Sequence, residues 1–263
     1  MTFTITSTQN PKIKNLATLE KPRERRKQRV FVVEGRKEIM LALDAGYTIE
    51  NLFFCEELIS RNDLKAFGVS DHLLVAVSRE IFEKVAIREN SGGVLAVAGQ
   101  KEHSLESIRL SDNPLILILE SVEKPGNLGA ILRTADAAAL DAVIICDPKT
   151  DLYNPNVIRS SVGCIFTNQV ASASSEETLS WLKQNNITPY STYLKASRPY
   201  DSVDFTKPSA IVMGTEATGL SDTWTSENQN PIIIPMLGRI DSMNVSTAAA
   251  VIIYEARRQR GFA

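Results

Sequence analysis

The sequence predicts an α/β fold in two parts, a small α/β domain followed by a larger domain built on a parallel sheet. Three observations predict it. In the second half, continuous apolar runs (PLILILES, DAVIICD, SAIVMG, NPIIIPM) alternate with helical stretches, the pattern of strands buried on both faces. In the first half shorter strands and helices alternate. Between them, residues 100–113 (QKEHSLESIRLSDN) are polar and break the apolar rhythm, so the boundary is placed near residue 105, dividing 1–105 from 106–263.

Taken in order, residues 12–37 are locally basic, with ten positive side chains against three negative. Such a run is either a solvated helix face or a phosphate-binding surface. FVVEG at 31–35 reads as a short buried strand, and Arg36 to Ala45 as a helix. NLFFCEE, LLVAVS and GGVLAVAG supply further strands around a helix at 79–87, with Gly92-Gly93 as a turn. PLILILES then opens the second domain. Helices are expected at 127–139, 176–186 and 245–259, and strands at DAVIICD, around 165–170, at SAIVMG and at NPIIIPM.

Composition narrows the function. Net charge is −2, so any nucleic-acid binding must come from local patches. The cysteines Cys55, Cys146 and Cys164 are odd in number and form no CxxC pair, and the apolar and small neighbours of Cys146 and Cys164 suggest buried thiols, so a reducing compartment is the simple reading. MTFTITSTQNPKIK lacks the apolar core of a signal peptide, and no apolar run approaches the ~20 residues that span a bilayer. A cytoplasmic location, without membrane or metal, is the expectation. The two histidines, His72 and His103, sit in no hydrolase or metal motif. The chemistry is therefore sought among Arg, Glu, Asn and Ser.

Three segments exceed packing needs. In ESVEKPGNLGAILRTADAAAL, Asn127 is placed to cap a helix, Gly129 permits close approach, and Arg133 stands in an otherwise small and apolar helix. Arg133 could equally reach out to water or pair with Asp136. In IVMGTEATGLSD, Gly214 and Gly219 imply a tight loop at the carboxyl end of a parallel strand, where α/β sheets bind ligands, with Glu216 as a polar anchor. The loop is neither GxGxxG nor a P-loop, which argues against a dinucleotide enzyme. In IIIPMLGRIDSMNVSTAAAVIIYEARRQR, Ser242, Asn244 and Ser246 precede a helix whose Ala248, Ala249 and Ala250 allow close packing.

Together these segments resemble the SpoU (TrmH) family of RNA ribose methyltransferases, in the SPOUT superfamily. Asn127, Gly129 and Arg133 match a first motif. Gly214, Glu216, Gly219 and Leu220 match a second. Ile234, Pro235, Met236, Ser242, Met243, Asn244 and Ser246 match a third. Met243 stands where the family often has Leu. NPKIK and FVVEG are similar to the family's accessory RNA-binding domain, which is like ribosomal protein L30e. The resemblance implies a parallel sheet with a deep trefoil knot, a homodimer, S-adenosylmethionine as cofactor and RNA as partner, ribosomal RNA ahead of tRNA. It implies Gly214, Ile234, Met236, Met243 and Ser246 as cofactor-binding, and Arg133, Asn127, Glu216, Ser242 and Asn244 as catalytic. Arg23, Arg25, Arg26, Lys27 and Arg29 would grip RNA. A guanidinium with a pKa above ~12 is a poor base, so Arg133 is expected to bind phosphate and stabilise the developing alkoxide. Two other readings remain: methylation of a base, and an RNA-binding assembly protein without catalysis.

Overall fold

The computed structural model describes residues 4–87, 92–196, 198–215, 218–226 and 229–262. Its regular elements are α1 (Pro11–Thr18), α2 (Pro22–Gln28), β1 (Val30–Glu34), α3 (Arg36–Asp44), β2 (Ile49–Phe54), α4 (Arg61–Lys65), β3 (Leu74–Ala76), α5 (Arg79–Val85) and β4 (Val94–Gly99). There follow β5 (Leu115–Glu120), α6 (Pro125–Ala137), β6 (Ala142–Cys146), α7 (Pro155–Ser160), α8 (Cys164–Thr167), β7 (Val170–Ala173) and α9 (Ser175–Gln184). The last are β8 (Thr188–Ser191), β9 (Ser209–Met213), α10 (Asp222–Thr225) and α11 (Val245–Gln259). They form two compact units, Met1–Glu102 with Asp151–Thr167, and His103–Thr150 with Asn168–Ala263.

The first unit holds a four-stranded sheet in the order β1-β4-β2-β3. β4 pairs antiparallel with β1 and β2, and β2 runs parallel to β3. Pro11 opens α1 and the Asn10 side chain accepts from the Lys12 amide at 2.9 Å, which meets one of the helix's unpaired donors. α1 and α5 then bury Ile13, Leu16, Ile81 and Phe82 with Phe53, Leu95 and Val97.

The segment Asp151–Thr167, which a single cut near residue 105 assigns to the second half, packs in this first unit. Tyr153 stacks on Phe31 with ring centroids 4.2 Å apart, and Phe166 meets Tyr47 edge-on at 5.1 Å. Gly163, at φ +83°, lets the segment close on α3: a Cβ there would lie 2.9 Å from Leu41 Cδ1. The strand expected around 165–170 starts only at Val170, because Cys164–Thr167 is a short helix.

The basic run divides. Arg23, Arg26, Lys27 and Arg29 are exposed. Arg25 is not available to RNA. It is fully buried, its Nε donates to Asp151 at 2.8 Å, and its Nη1 donates to the carbonyls of Leu19 and Glu20 at 2.7 and 2.8 Å. Its sequence neighbours face water, while Arg25 faces the inserted segment.

The second unit is a five-stranded sheet in the order β7-β6-β5-β9-β8, and every adjacent pair is parallel. All six residues of β5 are buried, as a central strand covered on both faces requires. Ile116, Ile118, Ile144 and Val212 pack with Leu182 of α9 and Trp224 of α10. α9 opens with a capping box between Ser174 and Glu177. α6 buries Leu128, Ile131, Leu132 and Ala135 and packs against α11, which buries Ala249, Ile252, Ile253 and Ala256. α6 begins at Pro125 with Lys124 as its cap, so Asn127 lies inside the first turn and is not the cap. NPIIIPM is not a regular strand. Ile232 and Ile233 form only isolated bridges, to Thr192 and Pro199, because Pro231 and Pro235 contribute no amide donors.

Arg25→Ala removes the partner of Asp151 and leaves two carbonyls without a donor. It is expected to destabilise the protein by about 3 kcal/mol. Arg26→Ala, on the exposed side, should shift stability by less than about 0.5 kcal/mol. Urea unfolding of the two variants side by side checks both; equal, small effects would refute the structural role of Arg25.

Candidate functional site

The strand order reverses between β5 and β9, and the loops at the carboxyl ends of β8 and β9 are where such a sheet binds ligands. After β9 the chain turns at Gly214. A Cβ there would lie 2.3 Å from the Gly219 carbonyl carbon and 2.6 Å from the Leu220 nitrogen, so no larger residue fits. Thr215 and Gly219 exchange two backbone hydrogen bonds of 3.1 Å, and Gly219 takes φ +69°. The Thr218 amide donates to Thr215 Oγ1 at 3.0 Å. Glu216 lies outside the described residues.

What anchors this loop was not singled out in the sequence. Glu120, at the end of β5, is 5% exposed. Its Oε2 accepts from the Ser221 amide at 2.7 Å, and its Oε1 accepts from the hydroxyls of Ser221 at 2.6 Å and Ser175 at 2.8 Å. The final residue of a strand reads only as a strand end in sequence; the serines that identify it stand 55 and 101 positions away.

The loops enclose a cavity of about 450 Å³. Gly214, Ile234, Met236 and Met243 line it, and Ser242 lines it as well. Thr192, Leu220, Asp222 and Asp241 complete much of the wall. Ser246 does not line it: its hydroxyl and amide both donate to Asn244 Oδ1, at 2.6 and 3.0 Å, as part of the cap of α11. Asn244 in turn donates through Nδ2 to Asn127 Oδ1 at 3.2 Å, which ties the first turn of α6 to the rim formed by Ser242 and Met243. Arg133 is exposed on α6 and does not line the cavity. Among the described residues it makes no hydrogen bond or ion pair, so it does not pair with Asp136 there.

The volume falls within the ~300–1,000 Å³ typical of small-ligand sites. The apolar Leu220, Ile234, Met236 and Met243 suit a flat heteroaromatic base, backbone groups of two tight loops suit its edge, and Asp222 and Asp241 suit a cationic ligand. S-adenosylmethionine has these features. No cysteine lines the cavity among the described residues, and Cys146, in the core of the sheet, is pushed up to about 12 by burial and stays protonated. Among the described residues no His, Cys, Asp and Glu cluster could hold a metal ion, and no helix is long and apolar enough to cross a membrane.

A parallel sheet with a cofactor-sized, glycine-walled cleft at its carboxyl end places the protein among α/β enzymes that bind a small cofactor. A family model described as the SpoU rRNA Methylase family matches residues 114–254, and one described as an MRM3-like substrate binding domain matches residues 10–96. The chain belongs to the SpoU rRNA methylase family. It is 29% identical to the 23S rRNA (guanosine(2553)-2'-O)-methyltransferase RlmP of Bacillus subtilis, over 96% of this chain and 98% of that one. A solved structure of an RNA 2'-O ribose methyltransferase is 41% identical, with a TM-score of 0.84 over 98% of this chain and 99% of its own. The AdoMet-bound rRNA methyltransferase from Sinorhizobium meliloti superposes with a TM-score of 0.89 at 29% identity, over 98% of both chains.

Gly214→Ala should abolish binding of S-adenosylmethionine in calorimetry while leaving the circular dichroism spectrum unchanged; retained affinity would show that the loop does not wall the site. Glu120→Ala strips the Ser221 amide and hydroxyl of their acceptor, while Ser175 keeps Asp147 at 2.8 Å, and is expected to cost about 3 kcal/mol of stability in urea unfolding. A loss below about 1 kcal/mol would mean that Ser221 re-pairs with water.

Proposed function

We propose that this protein transfers the methyl group of S-adenosylmethionine to a ribose 2′-hydroxyl of RNA, with ribosomal RNA as the substrate class. The cavity carries this reading: a cofactor-sized cleft lined by Gly214, Ile234, Met236 and Met243, on a chain of the SpoU family. The relatives named as 23S rRNA and rRNA methyltransferases support the ribosomal substrate.

Bound S-adenosylmethionine supplies a methyl group made electrophilic by its sulfonium. The two loops after β8 and β9 and the 232–243 segment would hold it, with Asp222 at the start of α10 and Asp241 favouring a cation in the cavity. The remaining task is to place a 2′-hydroxyl and favour loss of its proton. Arg133 takes that role by binding the adjacent phosphate and stabilising the developing alkoxide. Asn127 and Asn244, joined at 3.2 Å, fix α6 against the cavity rim, and Ser242 and Glu216 orient ribose or cofactor.

Because Arg133 is exposed and absent from the cavity wall, it suits an active site completed by a second copy of the chain, and a homodimer is part of the proposal. So is a trefoil knot, which the isolated bridges of Ile232 to Thr192 and Ile233 to Pro199 suit: the chain returns between loops already laid down. The first unit, where the substrate-binding model matches, would hold RNA phosphates through exposed Arg23, Arg26, Lys27 and Arg29. The compartment proposed is the cytoplasm.

The test is transfer of tritiated methyl groups from S-adenosylmethionine to ribosomal RNA and tRNA from cells lacking the gene, with alkali-resistant sites mapped. Label should enter ribosomal RNA as a 2′-O-methyl nucleotide. Arg133→Ala should lose at least about 100-fold in rate while its cofactor Kd changes less than about twofold. Equal turnover by the variant would remove Arg133 from the mechanism; label on a base would replace the reaction.

A further inference from the structure

One part of the cavity wall carries a charge that the cofactor's sulfonium does not call for. Tyr193, Leu194 and Lys195 line it, and Lys195 is the one cation among the described lining residues. The cofactor's sulfonium gains nothing from a lysine, and its single carboxylate accounts for one cation at most. Lys195 is exposed, as is Arg198 three residues on, and neither forms an ion pair or side-chain hydrogen bond among the described residues. Leu194 is 59% exposed beside them.

These side chains stand on backbone that is held at both ends. The Tyr193 amide donates to Ile232 O at 2.9 Å, the Ile233 amide donates to Arg198 O at 2.9 Å, and the Tyr200 amide donates to Ile233 O at 2.9 Å. Between them the Ala196 amide donates to Tyr193 O at 3.0 Å. The loop is therefore fixed to the segment that continues into the cavity residues Ile234 and Met236. Fixing the loop ends beforehand lowers the ordering cost of any contact its side chains make.

We infer that Tyr193, Lys195 and Arg198 form an RNA-contacting lip at the mouth of the cavity, with the two cations on phosphates flanking the target nucleotide and the Tyr193 ring as a stacking surface. This rests on the functional reading above and adds a contact surface to it. The cofactor's own carboxylate could occupy Lys195, but it needs one cation, and Arg198 does not line the cavity. Two unpaired cations on one anchored loop, with an aromatic ring beside them, match the alternation of phosphates and bases in single-stranded RNA.

The experiment uses the full-length chain and the double variant Lys195→Ala/Arg198→Ala. Binding of a fluorescent twelve-nucleotide single-stranded RNA of mixed sequence is measured between low and moderate salt, and S-adenosylmethionine binding by calorimetry. Each phosphate contact on single-stranded RNA contributes about 0.7 to the slope of log K against log salt, so the slope should fall by about 1.4. RNA affinity should fall roughly tenfold at low salt, with cofactor Kd within about twofold of wild type. A weakened cofactor Kd with RNA binding intact would assign Lys195 to the cofactor carboxylate and overturn the proposal. An unchanged salt slope would overturn it as well. If wild type binds RNA and cofactor but transfers no methyl group, the functional reading fails, while the slope comparison still decides the lip.

Discussion

A carboxylate taken out of water costs several kcal/mol unless its oxygens are met by donors. Glu120 meets that condition with three donors from two distant segments, Ser175 at the start of α9 and Ser221 at the end of the 214–220 loop. The requirement works in both directions. The donors make the buried charge tolerable, and the charge dictates where Ser221 must sit. Leu220 and Asp222, on either side of Ser221, are cavity residues, so the depth and outline of the cleft follow from one acid at the end of the central strand. The contact between Gly214 and Gly219 sets the other end of the same loop. With both ends fixed, the wall is built without lining side chains having to organise it.

Much of this was legible in sequence, for local reasons. Continuous apolar runs named β5, β6 and β9 because a central parallel strand buries every residue. Gly214 and Gly219 marked the loop because steric exclusion leaves its trace in residue type. The capping residue Asn244 was visible for the same reason, although its bond to Asn127 was not, since hydrogen bonds across 117 residues leave no spacing to read. Arg25 shows the converse failure. It lies in a run of basic residues that all look solvated, and only the approach of Asp151, 126 residues later, separates it from Arg26. Ser246 shows what motif membership leaves unsaid: it marks a residue without its role, and here the hydroxyl donates within the helix cap.

The segment Asp151–Thr167 extends the same lesson to whole elements. Nothing in DLYNPNVIRSSVGCIFT distinguishes a crossover of the second sheet from a piece of the first unit. Its residues are turn formers and apolar anchors of a kind found in either setting. Tertiary partners decide the matter: Phe31 and Tyr47 receive Tyr153 and Phe166, and Gly163 admits close contact with α3. One consequence is that the chain passes between the units three times instead of once, so neither unit is a continuous stretch of sequence.

Charge is partitioned in a way that the overall value of −2 conceals. Inside the cavity wall the carboxylates Asp222 and Asp241 favour a cationic ligand; at its lip Lys195 and Arg198 favour an anionic one. On α6 the exposed guanidinium of Arg133 adds a third unpaired cation. A protein acting on a cationic cofactor and a polyanionic substrate needs this separation, because a uniformly basic cleft would repel the first and a uniformly acidic one the second. The near-neutral total is then what remains when two opposite local fields are kept apart. Arg25 is buried and paired with Asp151, so it adds little to either field, and Glu120 is held by neutral donors that fix its position rather than cancel its charge. Recognition is left to the cations that have no partner among the described residues.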